Sequence, residues 1–478
     1  MIHVAKKKRE KSKIKIEFLG NSSVDVTGSM ILITTEHKTI LLECGIKQSS
    51  NSIEDYKTNS KPFPFKPKNV DYLFINHVHA DHCSLTPKLV REGFDGKIIT
   101  SDITFQLMRC MLMDSAKIIR KDAEYISHKR GKEVYPYYDE DDVDNALSMV
   151  NTYDYNIIYE LDNTSFRLLH NSHIVGAFQL ELFIKTSTGK VEKIFYSSDL
   201  GGFKFKNHYV DENDKCIKSN IVISESTYGA REKNNKPDRN KDLEKIKTTI
   251  NQVCIEGKGK LLIPVFSLSR SHQMLTDLYL LYGQDKDFKL QIVVDSPLIW
   301  ELTKIHKEMF EGENKELFEK VCNWKNVKFI KDHNESLLSV KDKTPKIVLS
   351  SSGFLIKGRS INYLKEYITQ SNCGLLFCGY APPTSIAGKI KSGQKYITIE
   401  RVSYKNKCSI TCLNSYSSHI PRYELINYLK GIQADKIYLL HGDMQGKLQL
   451  KESLDEELSN LCKSTRVICT NKNTVCNI

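Results

Sequence analysis

One heptad constrains this chain more than any other feature: Asn76-His77-Val78-His79-Ala80-Asp81-His82, placed directly after an apolar run. Asp71 to Asn76 (DYLFIN) reads as a buried strand that stops at His77. Leu85 to Val90 (LTPKLV) reads as the start of a helix, with Pro87 in its first turn. His77, His79, Asp81 and His82 therefore sit on a loop at the C-terminal end of a strand. Imidazole nitrogens and carboxylate oxygens are the donors zinc favours, and a catalytic zinc site keeps a position open for water. A histidine run on a solvated surface needs neither the buried strand before it nor the helix after it. The heptad points to metal-dependent hydrolysis.

Composition narrows the class. A length of 478 residues allows two or three domains, and 40% hydrophobic with 27% charged residues is ordinary for a soluble globular protein. Seventy basic against 58 acidic residues leave a net charge of +12, which favours a polyanionic partner through counterion release. Thirteen cysteines occur without a C-x-x-C pair, so a zinc ribbon is not expected and reduced thiols in a cytoplasmic protein are. The basic stretch Lys6 to Phe18 has no apolar segment of the kind a signal peptide needs. A nuclear signal, a nucleic-acid-gripping arm and a solvated tail all fit it, the last most simply. No run approaches the roughly 20 apolar residues of a membrane span.

Short apolar runs separated by turns (IKIEFLG, MILITT, TILLECG, DYLFINH) predict strands of a sandwich sheet. Ser101 to Ile126 reads as a long helix whose Met108, Met111 and Met113 pack in a core. After Glu225 the pattern turns to alternating helices and strands, with Leu243 to Gly257 a helix and IVVDSP and IVLSSS buried strands.

From about Phe18 to Asp443 the chain resembles the metallo-β-lactamase fold and, within it, the β-CASP nucleases. NHVHADHCSLTP is similar to the family's second motif, Asn171 to Phe178 (NSHIVGAF) to the third, Ile194 to Gly202 (IFYSSDLGG) to the fourth, and Ile437 to Asp443 (IYLLHGD) to the last. The resemblance implies seven metal ligands: His77, His79, Asp81, His82, His173, Asp199 and His441. Seven are too many for one tetrahedral ion and suit two. In the family's pattern His77, His79 and His173 hold one ion, Asp81, His82 and His441 the other, and Asp199 touches both. The donor types favour two zinc ions, with manganese also compatible. His170 does not match the pattern and reads as structural.

The β-CASP motifs are matched as well. Ser224 to Lys233 (SESTYGAREK) resembles the first, with Glu225 as its acid. Leu261 to Leu275 resembles the strand-turn-helix that follows. Ile347 to Arg359 (IVLSSSGFLIKGR) resembles a Ser/Gly loop that grips a phosphate with backbone amides. Asn414 to Leu425 (NSYSSHIPRYEL) resembles the third motif, where a histidine, here His419, goes with RNA and a valine with DNA. The implied class is α/β: a metallo-β-lactamase αββα sandwich from residues 1–228 and 388–478, with a Rossmann-like β-CASP domain inserted at 229–387.

Three positions depart from the pattern. Glu43, in LLECG, stands where the family has aspartate and adds a methylene to an acid that orients a ligand. Lys389, in GYAPPTSIAGKI, stands where the family has histidine; lysine neutralises a phosphate but is a poor general acid unless its pKa falls. Pro421 follows His419 where a polar residue is common.

The expected function is hydrolysis of RNA phosphodiester bonds by a di-zinc-activated hydroxide, endonucleolytic on single-stranded RNA. Catalytic roles fall to Asp81, Glu225, His419 and Lys389, with His419 the acid and Glu225 its orienting partner. Ser351, Ser352, Arg359 and Lys389 would hold neighbouring phosphates in a cleft between the domains that admits a single strand. A 5′-to-3′ exonuclease uses the same metal core. A DNA nuclease is opposed by His419, a small-molecule hydrolase by the insertion, and a weakly active scaffold subunit by the complete ligand set. A homodimer or an RNA-processing complex fits the chain as its assembly.

Overall fold

In the computed structural model, which describes residues 14–49, 51–204, 206–232 and 236–478, three large sheets organise the chain. The basic stretch from Lys6 to Lys13 and the Lys233 end of the SESTYGAREK segment lie outside the described residues.

Two seven-stranded sheets stack face to face, and period-2 patterning explains why. In the strand Ile31–Thr34, Ile31 and Ile33 point inward while Leu32 points to the opposite face. In its partner Thr39–Leu42, Ile40 and Leu42 join the same inner layer and Leu41 the outer one. The second sheet meets them with Phe166, Leu168, Leu180, Leu182, Ile194 and Ile223. The outer face of the first sheet is covered by the 29-residue helix Asp102–Arg130, capped by the Ser101 hydroxyl and closed at Gly131 with φ +61°. Met108 is fully buried there, and Met111 and Met113 pack against the same cluster. Helices Arg422–Gly431 and Met444–Asn460 cover the outer face of the second sheet. The result is the expected αββα sandwich.

The third sheet has six strands, all paired in parallel, with hydrophobic clusters on both faces. Burial on both faces accounts for the unbroken apolar runs IVVD and KIVLS. The expected helix at Leu243 begins earlier, as Arg239–Ile250, and runs into a π-helical turn at Asn251–Glu256. The expected return of the chain at residue 388 differs from what forms. Ser409–Cys412 pairs in parallel with Gly374–Phe377 as an edge strand of the third sheet. The chain therefore rejoins the sandwich only after Cys412, because that segment is the sixth strand of the third sheet.

The register of the second sheet matters most for function. Val191–Tyr196, Lys218–Glu225 and Gln433–Leu440 run parallel, with Tyr196 opposite Ile223 and Glu225 opposite Leu440. Their C-terminal ends therefore lie at one edge, and the residues just beyond them converge.

Candidate metal centre and its surroundings

The heptad leaves the buried strand Tyr72–Phe74 and is fastened from both sides. Asn76 donates its amide side chain to the Phe178 carbonyl at 2.9 Å. Ala80–Cys83 forms a single helical turn with His79 just before it. The segments before Ile31–Thr34 and after Thr39–Leu42 close over this turn: Ser29 N–H donates to the Asp81 carbonyl at 2.8 Å and Cys44 N–H to the His82 carbonyl at 2.7 Å. Gly45 lies so close that a Cβ there would sit 1.7 Å from the Asp81 carbonyl oxygen.

The other candidate ligands follow strand ends of the second sheet. His173 comes two residues after Asn171, whose side chain accepts from the His173 N–H and donates to the Asp199 carbonyl. His173 Nδ1 donates to the Ser418 carbonyl at 3.1 Å, leaving the Nε2 lone pair directed at His79. Asp199 and His441 stand immediately beyond Tyr196 and Leu440, and His441 takes φ +52°. Thr227 lies 2.9 Å from His441 Nδ1, and His441 Nε2 faces Asp81.

All seven predicted ligand residues come together. His77 Nε2 lies 3.1 Å from His79 Nδ1 and 4.0 Å from Asp199 Oδ2, and His173 Nε2 lies 3.2 Å from His79 Nδ1 and 3.7 Å from Asp199 Oδ2. Asp81 Oδ2 lies 3.4 Å from His441 Nε2 and 3.8 Å from His82 Nε2, which is 3.3 Å from Asp199 Oδ2. Donors at about 2.0–2.1 Å around a tetrahedral ion are about 3.3 Å apart, so both groups have the right spacing. Asp199 Oδ2 borders both. Asp199 Oδ1 and His82 Nε2 are buried and make no hydrogen bond of good geometry among the described residues, while His82 Nδ1 is turned to Glu43. Buried polar atoms are rarely left so, and these fit a pair of ions.

Electrostatics agrees with the geometry. Burial, then the neighbouring imidazoles, push His77 and His173 well below the ordinary histidine range; burial brings His79 down to about 4. Neutral imidazole is the form that binds metal. His82 behaves oppositely: burial opposes its charge, but Asp199 and Asp81 outweigh burial and hold it well above its usual value. Burial would raise Asp199, yet His441, His82 and His419 keep its carboxylate well below the ordinary range.

Two acids stand behind the ligands. Glu43 is fully buried, with Oε1 3.3 Å from His82 Nδ1 and 3.0 Å from the Ser198 hydroxyl, while Oε2 accepts from the Asn76 N–H. Its backbone takes φ +61°. Glu225 approaches His419 Nδ1 at 3.1 Å, and His419 Nε2 lies 3.9 Å from Asp199 Oδ2. Burial opposes the His419 charge, but Glu225 and Asp199 raise its pKa to about 10. His170 stacks on Tyr155 and pairs with Asp211, outside the cluster.

The expected phosphate-holding residues are arranged differently. Arg359 is committed to buried Asp295 at 2.6 Å and to the carbonyls of Ile330 and Lys331. Ser351 hydrogen-bonds Ser296, and Ser352 closes its own loop onto Lys357. The Arg359 and serine hydroxyl contacts hold the loop in shape. The Lys389 side chain is exposed, with no hydrogen bond or ion pair among the described residues, because its short helix Ile386–Lys391 buries Ala387, Gly388 and Ile390. Residues that sequence reading passed over lie nearer the metal centre. Tyr228 contacts the His419 ring, Arg231 covers the Tyr228 ring, and Lys391 is drawn inward to Gly379. Tyr228 and Arg231 stand within the SESTYGAREK segment, but nothing in spacing distinguishes Lys391 from Lys389.

Comparison with known proteins gives the same assignment. The metallo-beta-lactamase superfamily profile matches residues 24–150, the Beta-Casp domain profile 262–390, and the Zn-dependent metallo-hydrolase RNA specificity domain profile 403–463. The chain is 28% identical over 453 residues to transcription termination factor FttA of Methanocaldococcus jannaschii, covering 90% of this chain and 67% of that protein. It is 27% identical over 440 residues to ribonuclease TTHA0252 of Thermus thermophilus, covering 90% of this chain and 94% of that one. A solved structure of a protein of unknown function from Enterococcus faecalis shares the fold with a TM-score of 0.52 at 12% identity, covering 98% of this chain and 100% of the other. The converging strand-end ligands and the three consecutive domain matches place this chain in the β-CASP group of the metallo-β-lactamase superfamily, a family of hydrolases.

Proposed function

We propose that this protein is a two-zinc ribonuclease that cleaves single-stranded RNA internally. The observation that carries the reading is Asp199, whose Oδ2 borders both groups of candidate ligands, with His419 3.9 Å away on the side of Glu225. His77, His79 and His173 would hold one ion, Asp81, His82 and His441 the other, and Asp199 would bridge them. Bound there, the ions supply an activated water and positive charge against the phosphoryl oxygens.

The chain's own residues supply the rest. Glu225 keeps His419 charged and oriented, so Nε2 can deliver a proton to the leaving 3′ oxygen. The products would carry 5′-phosphate and 3′-hydroxyl ends. Glu43 and Thr227 orient His82 and His441, which keeps each ring's metal-facing nitrogen in place. RNA as substrate is supported by His419, by the RNA-specificity profile that spans His419 and His441, and by the net charge of +12. Placement of Glu225 and His419 beside a full ligand set favours an enzyme over an inactive scaffold.

The test is cleavage of matched linear and circular single-stranded RNA and DNA by the zinc-loaded chain, with Asp199→Ala as control. Cleavage of circular RNA, lost in the variant, is expected. Cleavage of linear RNA alone would replace the internal mode with an end-dependent one. Absence of RNA cleavage with two zinc ions bound would overturn the reading.

A further inference from the structure

Three cations gather around Tyr228, whose ring contacts His419, and among the described residues none has an acidic partner. The Arg231 guanidinium lies 3.2 Å from the centroid of the Tyr228 ring, which lies 5.6 Å from that of His419. Arg270 opens the helix Arg270–Tyr282 and approaches Gly379: a Cβ at that glycine would sit 3.7 Å from its Nη1. Lys391 reaches the same glycine from the opposite element and donates its ammonium to the Gly379 carbonyl. Among the described residues none of the three forms an ion pair with a carboxylate, and the buried Arg270 Nε has no acceptor.

The three charges act on one another. Burial first, then Arg231 and Arg270, hold the Lys391 ammonium below its usual range. Burial would raise the Tyr228 phenol, yet Arg231, His419 and Arg270 bring it down. Gathering like charges in a half-buried place opposes folding unless something negative joins them. The place is open to solvent: Tyr380, next in sequence to Gly379, is 54% exposed, and after burial the carboxylates of Asp443 and Asp25 act most on its phenol. Arginine and lysine together suit a phosphate, one by its planar fork and the other as a point charge.

We propose that Arg231, Arg270 and Lys391 form a subsite for a backbone phosphate of single-stranded RNA, next to the scissile one. The inference rests on the ribonuclease reading of the metal centre. It transfers to Lys391 the phosphate contact that sequence alone assigns to Lys389. Tyr228 is the link: its ring contacts both Arg231 and His419, so a strand seated in the subsite would lie against the proton donor.

The experiment measures binding of an end-labelled single-stranded RNA to the zinc-loaded full chain by fluorescence anisotropy across a salt series. The RNA is checked intact on a gel afterwards. Lys391→Ala and Arg231→Gln should each weaken binding and flatten the slope of log K against log salt by about 0.7, the share of one phosphate on a single strand. Lys391→Arg should keep the wild-type slope, and Lys389→Ala should leave both quantities unchanged. Wild-type affinity and slope in Lys391→Ala and Arg231→Gln, or an equal loss in Lys389→Ala, would overturn the subsite. The binding readout is independent of turnover. A chain that binds with the expected slopes yet cleaves no RNA would refute the ribonuclease reading alone. Cleavage at wild-type KM by Lys391→Ala would refute the subsite alone.

Discussion

Nδ1 of His419 lies 3.1 Å from Oε2 of Glu225, a contact between residues 194 positions apart that joins the third β-CASP motif to the first. Burial alone would discharge His419; when no metal is present, Glu225 and Asp199 raise its pKa to about 10. A general acid of this kind loses activity as pH rises through its pKa. His419→Ala should lower kcat by about 10²–10⁴-fold. Glu225→Gln should lower kcat too and move the alkaline limb of the pH–rate profile to lower pH, since a less stabilised imidazolium deprotonates earlier. An unmoved alkaline limb in Glu225→Gln would remove His419 from the acid role.

Asp199 Oδ2 borders both groups of candidate ligands. Asp199→Ala should release both zinc ions and abolish cleavage, read by metal analysis after gel filtration together with activity. Retention of two ions would show that the groups bind independently.

Zinc uptake should release protons near pH 7. His82 is held well above the ordinary histidine range when no metal is present, with burial opposing and Asp199 and Asp81 favouring its charge. A proton on His82 must leave before its nitrogen can bind an ion, so affinity should rise with pH. Calorimetric titrations in two buffers of different ionisation enthalpy should differ by at least one proton. Identical heats would contradict the charged state of His82.

Glu43 connects His82, Ser198 and the Asn76 N–H, all buried. Glu43→Ala should cost about 1–3 kcal/mol of stability, because it strands buried donors. It should weaken zinc binding by about 10–100-fold, because His82 loses its orienting acid. Glu43→Gln, which preserves the reach, should do less harm in both thermal melts and zinc titrations.

Gly45 is required by close approach. Alanine would bring a Cβ to 1.7 Å from the Asp81 carbonyl oxygen, where only backbone movement can make room. Gly45→Ala should destabilise the chain by about 1–3 kcal/mol and lower zinc content by displacing Asp81 and His82. A variant with the wild-type Tm and two zinc ions would show that the heptad loop tolerates the shift.

Sequence alone marked the residues of the candidate site. Strand-to-loop patterning and donor types marked His77, His79, Asp81 and His82, and motif resemblance supplied His173, Asp199, Glu225, His419 and His441. The alternation in Ile31–Thr34 and Thr39–Leu42, and the unbroken apolar runs near Asp295 and Ser350, also made the two sheet types legible, because side-chain period reports which faces are covered. Tertiary structure decided what depends on direction and long-range pairing. Spacing could not show that Asp199 Oδ2 borders both ligand groups, since that follows from the parallel register of Val191–Tyr196, Lys218–Glu225 and Gln433–Leu440. It could not show that Asp295 engages Arg359, that Ser409–Cys412 completes the third sheet, or that Lys391 turns inward while Lys389 faces solvent. Two lysines two positions apart on one short helix point in different directions, and the face that packs against the core decides which one turns inward to Gly379.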